Sequence, residues 1–364
     1  MLPARQASPA ASRQGGSRQG GLPRIVAMGG GTGLPNVLRG LRPLLYGSGE
    51  RKDDQGPRDR LVAIVATSDD GGSSGRLRAE FNMVPPGDIR NCLAALSDNH
   101  ALIADIFQYR FDTGDGLNGH SIGNLVLTAL ADVMNDFPRA VEIAARMVGA
   151  RGTVLPASRG MVTLVAEFED GRILSGETAI AAGGGKIRKL SLVPERPECL
   201  PDVVEAIGRA DVIVAGPGSL YTSILPPLLV PDITAAMHAS RGIRIFVSNL
   251  MTEPGETDDY SALDEILATE RHLGTQLFDC VVYNTSPVPE DLAGLYSAGK
   301  AQPVLTGNFE ISALERLGIR SIGVPLLSEH PAGKVRHHPD RLAAAILAIA
   351  QGQLGAHDQR SGAG

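Results

Sequence analysis

The chain has no tryptophan, and only 8 Phe and 6 Tyr among its 364 residues. A stacking platform for single-stranded bases is therefore not expected. Cysteine is equally scarce. Cys92, Cys199 and Cys280 are odd in number, far apart and free of any CxxC spacing, which argues against a zinc site or disulfide framework and fits a reducing cytosol. No apolar run approaches the ~20 residues of a membrane span. Surplus positive charge is also missing: a net charge of −6 speaks against wholesale nucleic-acid or anionic-membrane binding. Residues 1–22 are rich in Ser, Arg, Gln and Gly and contain no apolar h-region, so they are expected as a disordered tail rather than a signal peptide. Residues 351–364 are expected to be similarly loose, leaving residues 23–350 as one α/β domain with ample core.

What is abundant is glycine, 44 residues, and its placement organises the reading. Ile25 to Met28 predicts a short buried strand, Gly29, Gly30, Gly31 and Gly33 around Thr32 a turn, and Val37, Leu38 and Leu41 the apolar face of a helix. A strand that turns through glycine into a helix leaves several N–H groups aimed at one point, where the helix dipole favours a phosphate or another anion. The motif is GxGxG, with Leu34 where a dinucleotide fingerprint carries its third glycine.

Leu61 to Thr67 reads as a strand covered on both faces, ending in SDDGGSSGRLR. Asp69 and Asp70 are candidates for ribose hydroxyls or for Mg²⁺ beside phosphates, and hence for metal and catalytic roles. An Asx turn with Ser73 or Ser74 capping the next segment is the alternative. Gly47 to Arg60 is charged and is expected as a solvated loop, while Arg76 and Arg78 could meet phosphates. In PPGDIRNCLAALS, Asp88 is the expected N-cap, and Arg90 opposes the helix dipole unless it meets an anion or pairs with a nearby acid. In GLNGHSIGNL, His120 beside Ser121 and Asn124 fits a general acid–base residue or phosphate donor, and equally a capping and packing role.

From Gly149 to Pro194 the apolar residues alternate around Asp170-Gly171, which predicts an antiparallel hairpin insertion over 151–195 with Gly183 to Gly185 as a flexible tip. Strand–helix alternation then returns. Asp211 to Ala215 leads into a second glycine turn with Gly216, Gly218 and Ser219, then Tyr221, Thr222 and Ser223 as hydroxyl or packing contacts to a ligand. Arg244 to Ser248 ends in Asn249, Thr252 and Glu256, Phe278 to Tyr283 forms a further strand, and Asp340 to Ile349 a closing helix. The pattern predicts a Rossmann-like, doubly wound, mostly parallel α/β sheet, with ligands held at the carboxyl ends of its strands.

MGGGTGLPNVLRGL, TSDDGGSSGRLR, PPGDIRNCLAALS, GHSIGNL, AGPGSLYTSILP and NLMTEPGET, taken in this order between about Arg24 and Leu327, resemble the YvcK-type gluconeogenesis factors, relatives of the CofD-like 2-phospho-L-lactate transferases. The resemblance implies a cytoplasmic protein that binds a nucleotide sugar of the UDP-GlcNAc kind and is needed for cell shape and wall synthesis during gluconeogenic growth. Cell-wall synthesis proteins then become partners, with homo-oligomerisation left open. On this reading the glycine turns hold the diphosphate, Asp69 and Asp70 the ribose or sugar hydroxyls, and Arg76, Arg90 and His120 close on the charge. The transferase relatives imply an alternative: a Mg²⁺-dependent transfer of a phospholactyl-type group from a nucleotide diphosphate adduct, with Asp69 or Asp70 facing metal or acceptor.

Overall fold

The computed structural model describes residues 21–47, 58–97, 102–290, 293, 301–329 and 335–353. Most of the two expected tails and of the Gly47–Arg60 loop lies outside these residues.

Seven strands form the main sheet: β1 (Ile25–Gly29), β2 (Leu61–Val65), β3 (Thr153–Pro156), β7 (Val212–Ala215), β8 (Ile243–Val247), β9 (Cys280–Asn284) and β10 (Arg320–Val324). Their order is β10-β9-β8-β7-β1-β2-β3, and every neighbouring pair is parallel. Four of the seven are fully buried along their length, as apolar strands covered on both faces must be. Because side chains alternate, Ile25, Ala27, Leu61 and Ala63 enter one core while Val26, Met28, Val62 and Ile64 enter the other. The winding reverses between β1 and β7, so the two glycine turns leave the sheet side by side.

The first core is closed by α1 (Gly33–Tyr46), whose Leu34, Val37, Leu38, Leu41 and Leu45 recur at helical spacing, and by the C-terminal helix Pro339–Ala350. These two helices touch through Gly40. A Cβ there would stand 2.2 Å from the Pro339 carbonyl oxygen. α2 (Gly72–Phe81) and α3 (Gly87–Leu96) follow β2 and bring further polar residues to the same rim.

The insertion differs from expectation at both ends. Its first residues form β3, a parallel edge strand of the main sheet, because Thr153 to Pro156 pair with Val62 to Val65. The antiparallel part is β4 (Thr163–Phe168), β5 (Ile173–Ser175) and β6 (Ile187–Val193), with Asp170-Gly171 at the predicted turn. Between β5 and β6 the chain forms a short helix, Glu177–Gly183, which hydropathy alternation concealed. Gly183 and Gly184 are therefore a helix end rather than a free tip: Arg172 donates to both carbonyls, and Gly185 N–H donates to Gly255 O at 3.1 Å. A small ribbon of β11 (Leu327–Glu329) and β12 (Val335–His337) precedes the closing helix. Among the described residues no single helix is long and apolar enough to cross a membrane.

Replacing Gly40 by Ala is expected to push α1 off the closing helix and lower stability by about 1–3 kcal/mol, read as a shifted urea midpoint with unchanged slope.

Candidate functional site

The two glycine turns meet. Gly216 N–H donates to Met28 O at 3.1 Å, which pins the start of the second turn to the end of β1. A Cβ on Gly33 would lie 1.9 Å from the Pro217 carbonyl oxygen, so no other residue lets these backbones approach as they do. Gly31 has φ +60°, the left-handed region, and directs the chain from β1 into α1. Between and above the turns opens a cleft of about 740 Å³. Its floor is Gly31, Thr32 and Gly33 from the first turn and Gly218, Ser219 and Thr222 from the second. Asn249 and the segment to Pro254 form one wall; Glu177, Arg336 and His337 close the others.

A hydrogen-bond relay behind the floor sets its shape. Asn249 grips Gly218 twice, accepting from its N–H at 3.1 Å and donating to its carbonyl at 2.8 Å. Its role is thus to position the turn as well as to line the cleft. Asn249 N–H in turn donates to Glu265, which also accepts from the Ser248 hydroxyl at 2.6 Å. His337 Nε2–H donates to Ser248 O at 3.0 Å, and Asn36 of α1 donates to His337 O at 2.6 Å. Burial pushes the Glu265 carboxyl up to about 8 and the His337 imidazole down to about 4, so both are neutral at pH 7. Two distant segments are thereby tied to one turn.

Charge is distributed unevenly around the cleft. Arg336 donates to the Thr32 hydroxyl at 2.9 Å and places a guanidinium over the first turn. Facing it are carboxylates. Asp88 Oδ2 accepts from Gly31 N–H at 2.6 Å, and burial, reinforced by the charge of Asp69, raises its pKa to about 6. Ser219 donates to Glu256 at 2.7 Å; burial and neighbouring Glu253 raise Glu256 to about 7. Glu177 is pushed up to about 9, by burial first and then by Asp69, Asp88, Asp70 and Glu256. A Glu177 side chain that keeps its proton at pH 7 is a hydrogen-bond donor rather than a repelling anion.

Of the residues expected at the site, Gly31, Thr32, Gly33, Gly218, Ser219, Thr222 and Asn249 line the cleft, while Gly29, Gly30 and Gly216 lie beneath it as strand ends. Tyr221 does not face a ligand. It is fully buried, its hydroxyl 3.1 Å from that of Tyr260 and its ring edge-on to His272, because the wide helical turn Leu220–Ile224 rotates it into the second core. Asp69 and Asp70 do not converge. Asp69 accepts from Gly71 N–H at 2.9 Å, the Asx turn, whereas Asp70 accepts from the Thr178 N–H and hydroxyl at 2.8 and 2.7 Å and so caps the insertion helix. Among the described residues no group of three or more His, Cys, Asp or Glu side chains is placed to hold a metal ion.

Of the remaining candidates, Arg90, His120 and Asn124 lie in a separate buried knot beside the cleft. Ser73 Oγ is 2.9 Å from His120 Nδ1 and accepts from Asn124 Nδ2 at 3.0 Å. Arg90 donates to Ser121 Oγ and Asn91 Oδ1, each at 2.6 Å, rather than to Asp88. Arg76 stays exposed and donates to Asn118 O at 2.6 Å. Asp88 is no N-cap; Pro86 stands there, and the acid turns to Gly31 instead. Arg336, His337, Glu177 and Glu265 were missed. Glu177, Arg336 and His337 sit on short elements, whereas Glu265 lies in the regular helix Ala262–Leu273, where an acid reads as solvent-facing; only the run of basic residues around Arg336 carries any signal.

Comparison with known proteins agrees with this fold. The family model described as 2-phospho-L-lactate transferase CofD matches residues 25–327. A Nostoc sp. relative is 47% identical over 327 residues, 89% of this chain and 68% of that one. The gluconeogenesis factor of Bacillus subtilis is 41% identical over 328 residues, covering 90% of this chain and 98% of its own. The crystal structure of protein BH3568 from Bacillus halodurans superposes with a TM-score of 0.82 at 40% identity, covering 90% of this chain and 99% of that one.

The relay has a pH signature. In the unfolded chain Glu265 ionises near 4.5, but in the fold it keeps its proton until about 8, so the native state holds the extra proton and stability falls as pH rises through that window. In Glu265→Gln the decline in unfolding free energy between pH 6 and pH 9 is expected to be shallower, measured by urea titration at each pH.

Proposed function

This chain belongs to the 2-phospho-L-lactate transferase CofD family, and from that premise we propose that it is a gluconeogenesis factor that binds a nucleoside-diphosphate sugar of the UDP-GlcNAc kind. The observation that carries this reading is the meeting of two glycine turns under one guanidinium at the reversal of the sheet. Amides at the start of α1 and around Gly218, with Arg336 above, suit a diphosphate. The cleft has room for a nucleotide and a sugar together. Protonated Glu177 and the amides and hydroxyls along Asn249–Pro254 offer donors and acceptors to the sugar and ribose.

At the floor of the cleft the Ser219 hydroxyl donates to the Glu256 carboxyl, a contact we read as holding the second turn in place. The Ser73–His120 pair is buried to one side. Binding without turnover is the simpler use of this site: occupancy reports sugar-nucleotide supply, and the loaded protein adjusts wall synthesis to carbon source in the cytoplasm. Mg²⁺ would enter with the diphosphate on this reading, since among the described residues no three His, Cys, Asp or Glu side chains are grouped to hold it.

Calorimetric titration tests this. UDP-GlcNAc is expected to bind without added Mg²⁺, and Arg336→Ala to weaken binding about ten- to a hundredfold, the loss of one charge-assisted contact. Affinity is also expected to fall as pH rises past 9, when Glu177 ionises against the diphosphate, and to do so less in Glu177→Gln. Absence of UDP-GlcNAc binding defeats the proposal, and GDP binding that needs Mg²⁺ supports group transfer in its place.

A further inference from the structure

The Asp70 carboxylate turns to the insertion rather than into the cleft. Its Oδ1 accepts from the Thr178 N–H at 2.8 Å and from the Thr178 hydroxyl at 2.7 Å, across 108 positions of chain. On the other side of Glu177, a Cβ on Gly176 would stand 2.2 Å from Asp70 Oδ2. Gly176 also has φ +96°, which other residues rarely adopt. One carboxylate is thus clasped by the residues immediately before and after Glu177, and Glu177 lines the cleft. The support beneath Asp70 is stiff. A Cβ on Gly75 would lie 1.9 Å from the Asp70 carbonyl oxygen, so α2 sits directly on this backbone. Arg78 of the same helix donates to Ser68 O at 3.1 Å and to Asp69 O at 3.4 Å. The helix Glu177–Gly183, by contrast, has seven residues and packs on β4 and β5 of its own insertion, with Ile180 as its one fully buried side chain.

We infer that Asp70 governs affinity for the cleft ligand without touching it, as the positioning residue for Glu177. The ligand is the nucleotide sugar of the reading above, on which this inference rests; the clasp stands on hydrogen bonds alone. So short a helix has too few internal bonds to fix its own first turn. Its first N–H groups need an outside acceptor, and a carboxylate there also meets the positive end of the helix. Asp70 supplies both from a loop of the main sheet, which sets the first turn of the insertion helix relative to the glycine turns. Without it, Glu177 is tied to the cleft only through Ile180, the strands of the insertion and the Gly185–Gly255 bond beyond the far end of the helix. The charged groups that face Glu177 are Asp69 and Asp70 after β2, Asp88 of α3 and Glu256 of the opposite segment, all of them acids. A glutamate that swings from among them into solvent has no further cause to keep its proton.

Calorimetric titration of the full chain with UDP-GlcNAc, in Asp70→Ala, Glu177→Gln and the double variant, reads the coupling. Asp70→Ala is expected to weaken binding about tenfold in the unaltered chain, as loss of a helix cap does, but less than about twofold in the Glu177→Gln background. Asp70→Asn keeps an acceptor for Thr178 and is expected to stay within about threefold of the unaltered affinity. Thr178→Val removes one of the two bonds and is expected to fall between, which tests the clasp even where Asp70→Ala misfolds. Equal losses from Asp70→Ala in both backgrounds mean that Asp70 meets the ligand directly, and they overturn the inference. A second readout needs no ligand and so separates this inference from the choice of UDP-GlcNAc. The Glu177 carboxyl, followed by carbon NMR and assigned by its loss in Glu177→Gln, is expected to titrate at about 9. Its titration is expected to remain well above the ordinary carboxyl range in Asp70→Asn and to return to that range in Asp70→Ala. An ordinary titration in the unaltered chain, or one left in place by Asp70→Ala, overturns the inference whatever the ligand.

Discussion

Where β1 and β7 lie side by side the chain winds away in opposite directions, and no connection covers the carboxyl ends of either strand. Two turns must leave the sheet in nearly the same space. They can do so only if a side chain is absent where the backbones touch, at Gly33 against Pro217 and the Gly218 amide. The same omission of Cβ atoms that permits the crossing leaves the backbone of both turns as the floor of the cleft. The crevice thus follows from the reversal of winding in a sheet with both faces covered.

That arrangement is costly to hold, and much of the surrounding structure is occupied with holding it. Asp88 takes the Gly31 amide, Asn249 takes both polar groups of Gly218, and Glu265 fixes Asn249 from behind. Each uses a carboxyl or amide buried enough to favour its neutral form or to require full hydrogen bonding. The insertion contributes as well. Asp70 caps its short helix and Gly185 ties to Gly255, so Glu177 enters the cleft from outside the main sheet. Burial, reinforced by the neighbouring carboxyls, keeps the proton on Glu177 at neutral pH and raises Glu256 to about 7.

The outward helices Leu102–Gln108 and Ile122–Met134 follow a different logic. Their inner faces complete the first core through Phe107 and Leu127, while Leu102 and Val133 lie exposed on the outer side.

Sequence alone determined the elements whose pattern is local. Ile25 to Met28 is continuous and apolar, Val37, Leu38 and Leu41 recur at helical spacing, and the glycines between can only be a turn; the alternation around Asp170-Gly171 likewise specified a hairpin. Parallel order, and the rim where the carboxyl ends of the strands gather, followed from strand–helix rhythm. Only the tertiary structure decided which polar residues reach that rim. Asp69 and Asp70 are neighbours in sequence, yet one closes its own turn and the other caps a helix more than a hundred residues away. Tyr221 is adjacent to Leu220 and Thr222 but rotates into the core, and β3 joins the main sheet although its residues read as part of the insertion. Arg336 reaches Thr32 across 304 positions of chain. Spacing and hydropathy register neighbours along a chain; hydrogen bonds between segments this far apart leave no periodicity to read.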